Sequence, residues 1–192
     1  MELTLFVDHQ CNLRCTYCYT GRKFTRAMSR EVLEKALRLA LASPDPHLDI
    51  ALFGGEPLLH FDLIREADEI VTRAMAGRSH PLTVRWLLNT NATLLTDEVL
   101  DWLMPPRVTN VFVSLDGPRD VHDRCRLDNA GRGSYDRVLE GISKLRARKL
   151  PFRVLAVVGT KSASDVGRVL AELIGLGAEQ VHLSANYRDD WD

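Results

Sequence analysis

Short apolar runs alternate with longer amphipathic stretches along the chain. Six runs, Leu3–Asp8, Asp49–Phe53, Thr83–Asn89, Asn110–Leu115, Phe152–Val158 and Gln180–Ser184, are rich in Val, Leu, Ile and Phe. Runs of this length and composition predict strands buried on both faces, as in a parallel sheet. Between them, apolar residues recur at helical spacing. Val32, Leu33, Ala36, Leu37, Ala40 and Leu41 form one stripe, with Ser29 as its N-cap. Phe61, Ile64, Ala67, Val71, Ala74 and Met75 predict a second helix, closed by Gly77. A shorter third helix starts at the N-cap Thr96 and ends at Pro105-Pro106. A fourth follows Ser134 through Val138, Ile142 and Leu145. A fifth runs from about Ser164 through Val169, Leu170 and Leu173 to Gly175 or Gly177. Gly167 inside it costs about 1 kcal/mol relative to Ala, which blurs the start.

The resulting order is strand and helix in strict alternation, which predicts an α/β fold of parallel strands. A full eight-unit barrel needs about 250 residues, roughly 30 per unit. A chain of 192 residues has room for about six units, matching the six strands. A partial barrel and an open doubly wound sheet both fit that alternation.

Composition removes several functional classes. Twenty-five Lys and Arg stand against 26 Asp and Glu, a formal net charge of −1. That balance argues against a general nucleic-acid binder. No apolar run approaches the ~20 residues of a membrane-spanning helix. The start, Met1 to Asp8, lacks the basic region and cleavage site of a signal peptide, so a cytoplasmic protein is expected. Of four cysteines, Cys11, Cys15 and Cys18 fall within eight residues. A disulfide framework would spread them out; this cluster reads as a metal or iron–sulfur site.

In parallel α/β folds, ligands bind at the C-terminal ends of the strands. All six predicted ends carry polar or glycine groups. They are the cysteine segment, Gly54-Gly55-Glu56-Pro57, Asn89-Thr90-Asn91, Ser114-Leu115-Asp116-Gly117-Pro118, Gly159-Thr160-Lys161 and Ser184-Ala185-Asn186-Tyr187. Three thiolates can hold three irons of a [4Fe–4S] cube and leave the fourth open, whereas four cysteines would close it. Structural zinc, with His9 completing a Cys3His set, is the rival, although ten residues is tight for such a site. Three buried free cysteines are the blandest reading. The two glycines permit close backbone approach, yet a glycine pair before proline is often only a turn. Asp116-Gly117-Pro118 is also a turn in its own right, and Asn89 and Asn91 read equally as satisfied loop amides. His122, Asp123 and Arg126 form either a surface salt-bridge cluster or a place where Arg126 meets a carboxylate. Cys125 among them reads as incidental.

Cys11-x-x-x-Cys15-x-x-Cys18 is similar to the cysteine motif of radical S-adenosylmethionine (SAM) enzymes. Gly54-Gly55-Glu56-Pro57, Thr90-Asn91-Ala92-Thr93 and Ser114-Leu115-Asp116-Gly117-Pro118 follow in the family's order and spacing. The resemblance runs from the first strand through the sixth and selects the partial (β/α)6 TIM-like barrel. His122-Asp123-x-x-Arg126 followed by Gly131-x-Gly133-Ser134-Tyr135 resembles the SPASM/twitch branch. That branch includes anaerobic sulfatase-maturing enzymes and peptide maturases. Molybdenum-cofactor biosynthesis enzymes share fewer of these segments and are the second choice.

The resemblance implies a [4Fe–4S] cluster ligated by Cys11, Cys15 and Cys18, with SAM on the open iron. It implies that Tyr17 packs near the adenine, and that Gly54, Gly55 and Glu56 contact the methionine ammonium. Ser114 would contact the ribose, Arg126 the carboxylate in competition with Arg124 and Arg132, and Leu183 the adenine side. Asn91 and Asp116 complete the implied cofactor-binding set. Reductive cleavage of SAM would give methionine and a 5′-deoxyadenosyl radical that takes a hydrogen from a substrate. The implied partners are a peptide or protein substrate and an external one-electron reductant of flavodoxin or ferredoxin type. Nucleic acid and membrane are not among them.

Branch members continue into a cysteine-rich region that binds auxiliary clusters. No cysteine follows Cys125 here. Residues 1–192 therefore read as a radical SAM core without its SPASM-type extension, either cut short or minimal. The sixth strand would then be an open edge that needs a cover. A non-catalytic zinc or redox module is the alternative from a different functional class.

Overall fold

A computed structural model describes residues 1–78 and 80–187. The chain order is β1 (Glu2–Asp8), α1 (Arg30–Leu41), β2 (His47–Gly54), a 3-10 turn (Pro57–His60), α2 (Phe61–Ala76), β3 (Thr83–Thr90), α3 (Asp97–Trp102), β4 (Val108–Ser114), α4 (Arg119–His122), α5 (Tyr135–Ala147), β5 (Arg153–Val158), a second 3-10 turn (Thr160–Asp165), α6 (Val166–Gly175) and β6 (Gln180–Ala185). All six strands run parallel, and their spatial order equals their sequence order. A doubly wound sheet reverses its strand order at a switch point. This one never reverses, so the architecture is the partial (β/α)6 barrel. The sheet is not closed: β1 and β6 are its two edges.

The helices form where the apolar spacing places them. Ser29 Oγ accepts from the Val32 amide and Thr96 Oγ1 from the Val99 amide, each satisfying an orphan donor of the first turn. The third helix stops at Trp102, ahead of the prolines. α4 and the two 3-10 turns carry no periodic signal in the sequence, being a turn or two long. The expected fifth helix begins at Val166, two residues past the expected start, because Ser164 and Asp165 belong to the 3-10 turn.

The strands are fully buried on one face only. Leu5, Val7, Leu48, Ile50, Leu52, Leu88, Val111, Val113 and Val154 pack with Leu33, Leu37, Ile64, Val71, Val138, Ile142, Leu145 and Leu173 of the helices. The opposite face carries Phe6, Phe53, Leu87, Phe112 and Leu155, which are half-buried or exposed, Phe6 by 47%. An open sheet leaves that face to a cavity, where a closed small barrel would fill it with side chains. β6 is mostly exposed among the described residues.

Candidate functional site

One cavity of about 410 Å³ lies at the C-terminal ends of the strands. Residues from the loop after β1 and from the ends of β2 to β6 all line it. Cys11, Cys15, Tyr17, Cys18, Gly54, Gly55, Asn91, Ser114 and Arg126 share this wall, as the resemblance implies. Glu56, Asp116 and Leu183 do not line it. Leu183 pairs in register with Ala156 on the exposed edge strand and is 39% exposed, while its neighbours Ser184 and Ala185 reach the cavity.

The cysteine segment is tied down at both ends by Asp8, which ends β1. One oxygen of its buried carboxylate accepts from the amides of Gln10 (3.1 Å) and Arg26 (2.9 Å). The other lies 2.7 Å from His60 Nε2. Burial alone would raise the Asp8 pKa, but the Arg26 and Gln10 amides and His60 outweigh it and hold the carboxyl below its ordinary value. The Met28 amide donates to the Val7 carbonyl, closing the loop. On its far side, the amides of Arg14 and Thr16 donate to the carbonyls of Leu127 and Cys125. Cys125 thus contributes backbone, and its half-buried thiol stays free.

Gly54 and Gly55 are required by this loop. The Gly55 amide donates to the Asp8 carbonyl (2.7 Å) and the Glu56 amide to the Gln10 carbonyl (2.9 Å). A Cβ on Gly55 would overlap the Gln10 carbonyl, and one on Gly54, whose φ is +128°, would overlap that of Asp8. Glu56 itself is fully buried behind the wall. Its carboxylate accepts from the amides of Leu58 and Asn91 and from Thr90 Oγ1. Burial pushes its pKa up to about 7 against those donors. Asn91, held by Glu56, donates to Asn12 Oδ1 (2.9 Å) and points its amide at Cys11 Sγ (3.8 Å).

Of the segment after β4, Asp116, His122 and Arg126 are buried while Arg119, Asp120 and Arg124 are exposed, which favours the reading in which Arg126 meets a carboxylate over a surface salt-bridge cluster. Arg126 Nη2 donates to Asp116 Oδ1 (2.9 Å), and the guanidinium lies 5.5 Å from the centre of the Tyr17 ring. The Tyr17 hydroxyl donates to Asp116 Oδ2 and the Val157 amide to Oδ1. His122, fully buried, accepts from the Asp116 amide and pairs with Ser134 Oγ, which donates to the Arg126 carbonyl. Burial, with Arg126 nearby, lowers the His122 pKa to about 4. Asp123 accepts from the Tyr135 amide at the start of α5, where Ser134 makes no side-chain cap. Arg126 Nε is buried without a partner among the described residues. Arg124 and Arg132 engage Asp120 and Asp128 outside the cavity, whereas Arg126 lines it.

The three thiols have different surroundings. Burial raises the pKa of Cys11 to about 11 and also raises that of Cys15. Burial pushes Cys18 up too, but hydrogen bonds from Lys23 and Thr20 outweigh it and bring the thiol below its ordinary value. Among the described residues, no three His, Cys, Asp or Glu gather closely enough to share one metal ion. His9, the fourth ligand of the zinc reading, stacks on Phe24 at 4.7 Å and is absent from the cavity wall. Three cysteine sulfurs spread along one cavity suit a polynuclear iron–sulfur cluster, whose irons each take one thiolate.

Lys23, Tyr19, Phe53 and Leu155 also line the cavity and were not singled out by sequence. Tyr19 donates to the Gly54 carbonyl (2.7 Å). For Lys23 the available signal was the Thr20-Gly21 turn that follows the last clustered cysteine.

A six-stranded parallel (β/α) sheet with a three-cysteine loop after β1 defines a partial barrel with its cysteines at the strand-end cavity. The Radical SAM superfamily model matches residues 7–173, and the chain belongs to that superfamily. Membership implies a [4Fe–4S] cluster and SAM as cofactors. The chain is 28% identical over 169 residues to a cysteine-type anaerobic sulfatase-maturating enzyme of Clostridium novyi, covering 83% of this chain and 44% of that protein. It is 34% identical over 164 residues to the serine-type enzyme of Bacteroides thetaiotaomicron, covering 80% and 38%. The structure of anSMEcpe with bound AdoMet and the Cp18Cys peptide superposes with a TM-score of 0.86 at 25% identity, over 96% of this chain and 50% of that one. The SuiB structure from Streptococcus suis, at 18% identity and a TM-score of 0.74, shares the fold. The chain spans about half the length of the relatives it matches. Among the described residues, no helix is long and apolar enough to cross a membrane.

Proposed function

We propose that Cys11, Cys15 and Cys18 hold a [4Fe–4S] cluster, that SAM lies against it in the strand-end cavity, and that the protein modifies a peptide or protein side chain. The observation that carries this reading is the single wall shared by the three cysteines, Gly55, Asn91, Ser114 and Arg126. When bound, the cluster supplies the electron that breaks a carbon–sulfur bond of SAM and yields a 5′-deoxyadenosyl radical.

The chain's own residues bind, orient and shield. The cysteine segment is anchored by Asp8 and by the ends of β2, which fixes where the three sulfurs stand. Arg126 offers a buried cation with an unused Nε–H, suited to the carboxylate of SAM. Asp116 holds Arg126 and Tyr17 together and so acts from behind the wall. Glu56 has the same standing, shaping the Asn91 turn while its oxygens are already occupied. Ser114 stands at the mouth of β4 for a sugar hydroxyl. Leu155 and Phe53 give the cavity apolar walls that limit water around a radical.

Likeness to sulfatase-maturating enzymes, and to a peptide-bound anSMEcpe structure, supports a peptide or protein substrate. A flavodoxin- or ferredoxin-type protein would deliver the electron. The test uses the full-length protein with cluster, SAM, reductant and a sulfatase-derived peptide deuterated at its target Cys or Ser side chain. Deuterium found in 5′-deoxyadenosine supports the reading. Uncoupled SAM cleavage with every candidate peptide would contradict the substrate class.

A further inference from the structure

The chain turns back on itself immediately after the third clustered cysteine. The Gly21 amide donates to the Cys18 carbonyl (3.1 Å), and Gly21 takes a φ of +63°, a left-handed conformation that glycine adopts at no steric cost. This reversal brings Lys23, five residues on, over the side chain of Cys18. Lys23 Nζ stands 2.8 Å from Cys18 Sγ and 2.6 Å from Thr20 Oγ1, and the Thr20 hydroxyl is itself 3.2 Å from the same sulfur. Lys23 lines the cavity and makes no ion pair among the described residues. Among the described residues no carboxylate neutralises its charge, and it faces the sulfur.

We propose that Lys23 raises the reduction potential of the cluster by donating a hydrogen bond to the sulfur of the Cys18 ligand. The proposal rests on the cluster reading above. Its physical basis is simple. Reduction adds one negative charge to a cluster already carrying thiolate charge. A fixed cation and an N–H···S bond at one ligand stabilise that added charge more than they stabilise the oxidised form. Cys11 and Cys15 have no comparable partner: Cys11 meets the Leu13 amide at 3.4 Å and the Asn91 amide at 3.8 Å. Among the three thiols, Lys23 makes its hydrogen bond to Cys18. In this role Lys23 is a positioning residue that acts through Cys18. Thr20 orients its ammonium.

The test compares the full-length protein with its K23M, K23Q and K23R variants, each loaded with iron and sulfide without oxygen. Redox titration with dithionite, in the absence of SAM, is followed by the EPR signal of the reduced cluster. Equal iron content is expected in all four. The midpoint should move to more negative potential in K23M, less so in K23Q, which keeps a neutral donor, and stay near wild type in K23R. Identical midpoints at equal iron content would overturn the proposal, as would an unchanged midpoint with weakened SAM binding, which would make Lys23 a cofactor contact. If K23M loses iron, the K23Q to K23R difference carries the same decision. A wild-type protein that assembles no cluster would instead overturn the cluster reading itself.

Discussion

The carbonyl oxygen of Gln10 occupies the space that a side chain on Gly55 would need. The glycine pair after β2 therefore serves the cysteine segment directly, letting two backbones meet in a ladder of two hydrogen bonds. Gly55→Ala should destabilise the protein by about 1–3 kcal/mol, the usual range for forced overpacking, and lower iron loading together with it. A urea midpoint and an iron assay check this; wild-type values in both would mean the loop accommodates a methyl group.

Asp8 closes the same segment with one carboxylate. Asn at this position keeps the shape but loses one acceptor oxygen, leaving at least one of Gln10, Arg26 and His60 unpaired. Asp8→Asn should cost about 1–3 kcal/mol locally, roughly 5- to 150-fold faster amide exchange across residues 9–27. The sign with pH follows from the lowered pKa. The stabilisation is complete above the ordinary aspartate value and fades as pH falls through the depressed one. Acid should therefore loosen wild type toward the variant.

Glu56 has the opposite sign. Its folded pKa is raised to about 7 from an ordinary 4.5. Below 4.5 it is protonated in both states, and burial carries no penalty. Between 4.5 and 7 the unfolded chain ionises first, so stability falls as pH rises, by at most about 3 kcal/mol. Glu56→Gln should remove that slope, while its amide nitrogen meets donors where oxygen stood. Urea unfolding at pH 5 and pH 7.5 for both proteins measures it; equal slopes would contradict the assignment.

Arg126 and Asp116 form a buried pair, with side chains 8% and 2% exposed. Removing one charge of such a pair leaves the other uncompensated. Arg126→Met should cost about 3–5 kcal/mol. Arg126→Lys should retain more stability but lose the planar contact with Tyr17 and weaken SAM binding. Thermal melts and equilibrium dialysis with SAM separate the two effects.

Much of this was legible in the residues. The six strands and the N-caps Ser29 and Thr96 stand as the spacing predicts, because long periodic segments and capping side chains act locally. The three cysteines, Asn91, Ser114 and Arg126 share a cavity because they lie at strand C-terminal ends or in the loops that follow them. Glu56 and Asp116 were legible as site residues but not as supports. Whether a carboxylate faces a cavity or the backbone behind it depends on distant partners such as Asn91 and Val157. His122 read as a surface residue because its loop is polar, and burial by Ser134 and Tyr135 leaves no local signature. Leu183 lies outside the cavity wall, which β6 reaches only at Ser184 and Ala185, nearer its C-terminal end.

The central claim is that Cys11, Cys15 and Cys18 hold a cluster that serves SAM. Anaerobic loading of the full-length protein and of its Cys15→Ala variant, followed by reduction with SAM present, tests it most directly. The chain spans about half the length of its relatives, so the decisive quantity is the difference between the two proteins. The account predicts about four iron and four sulfide more in the wild type than in the variant, with 5′-deoxyadenosine formed by the wild type alone. Equal iron in both, or 5′-deoxyadenosine released by the variant, would contradict it.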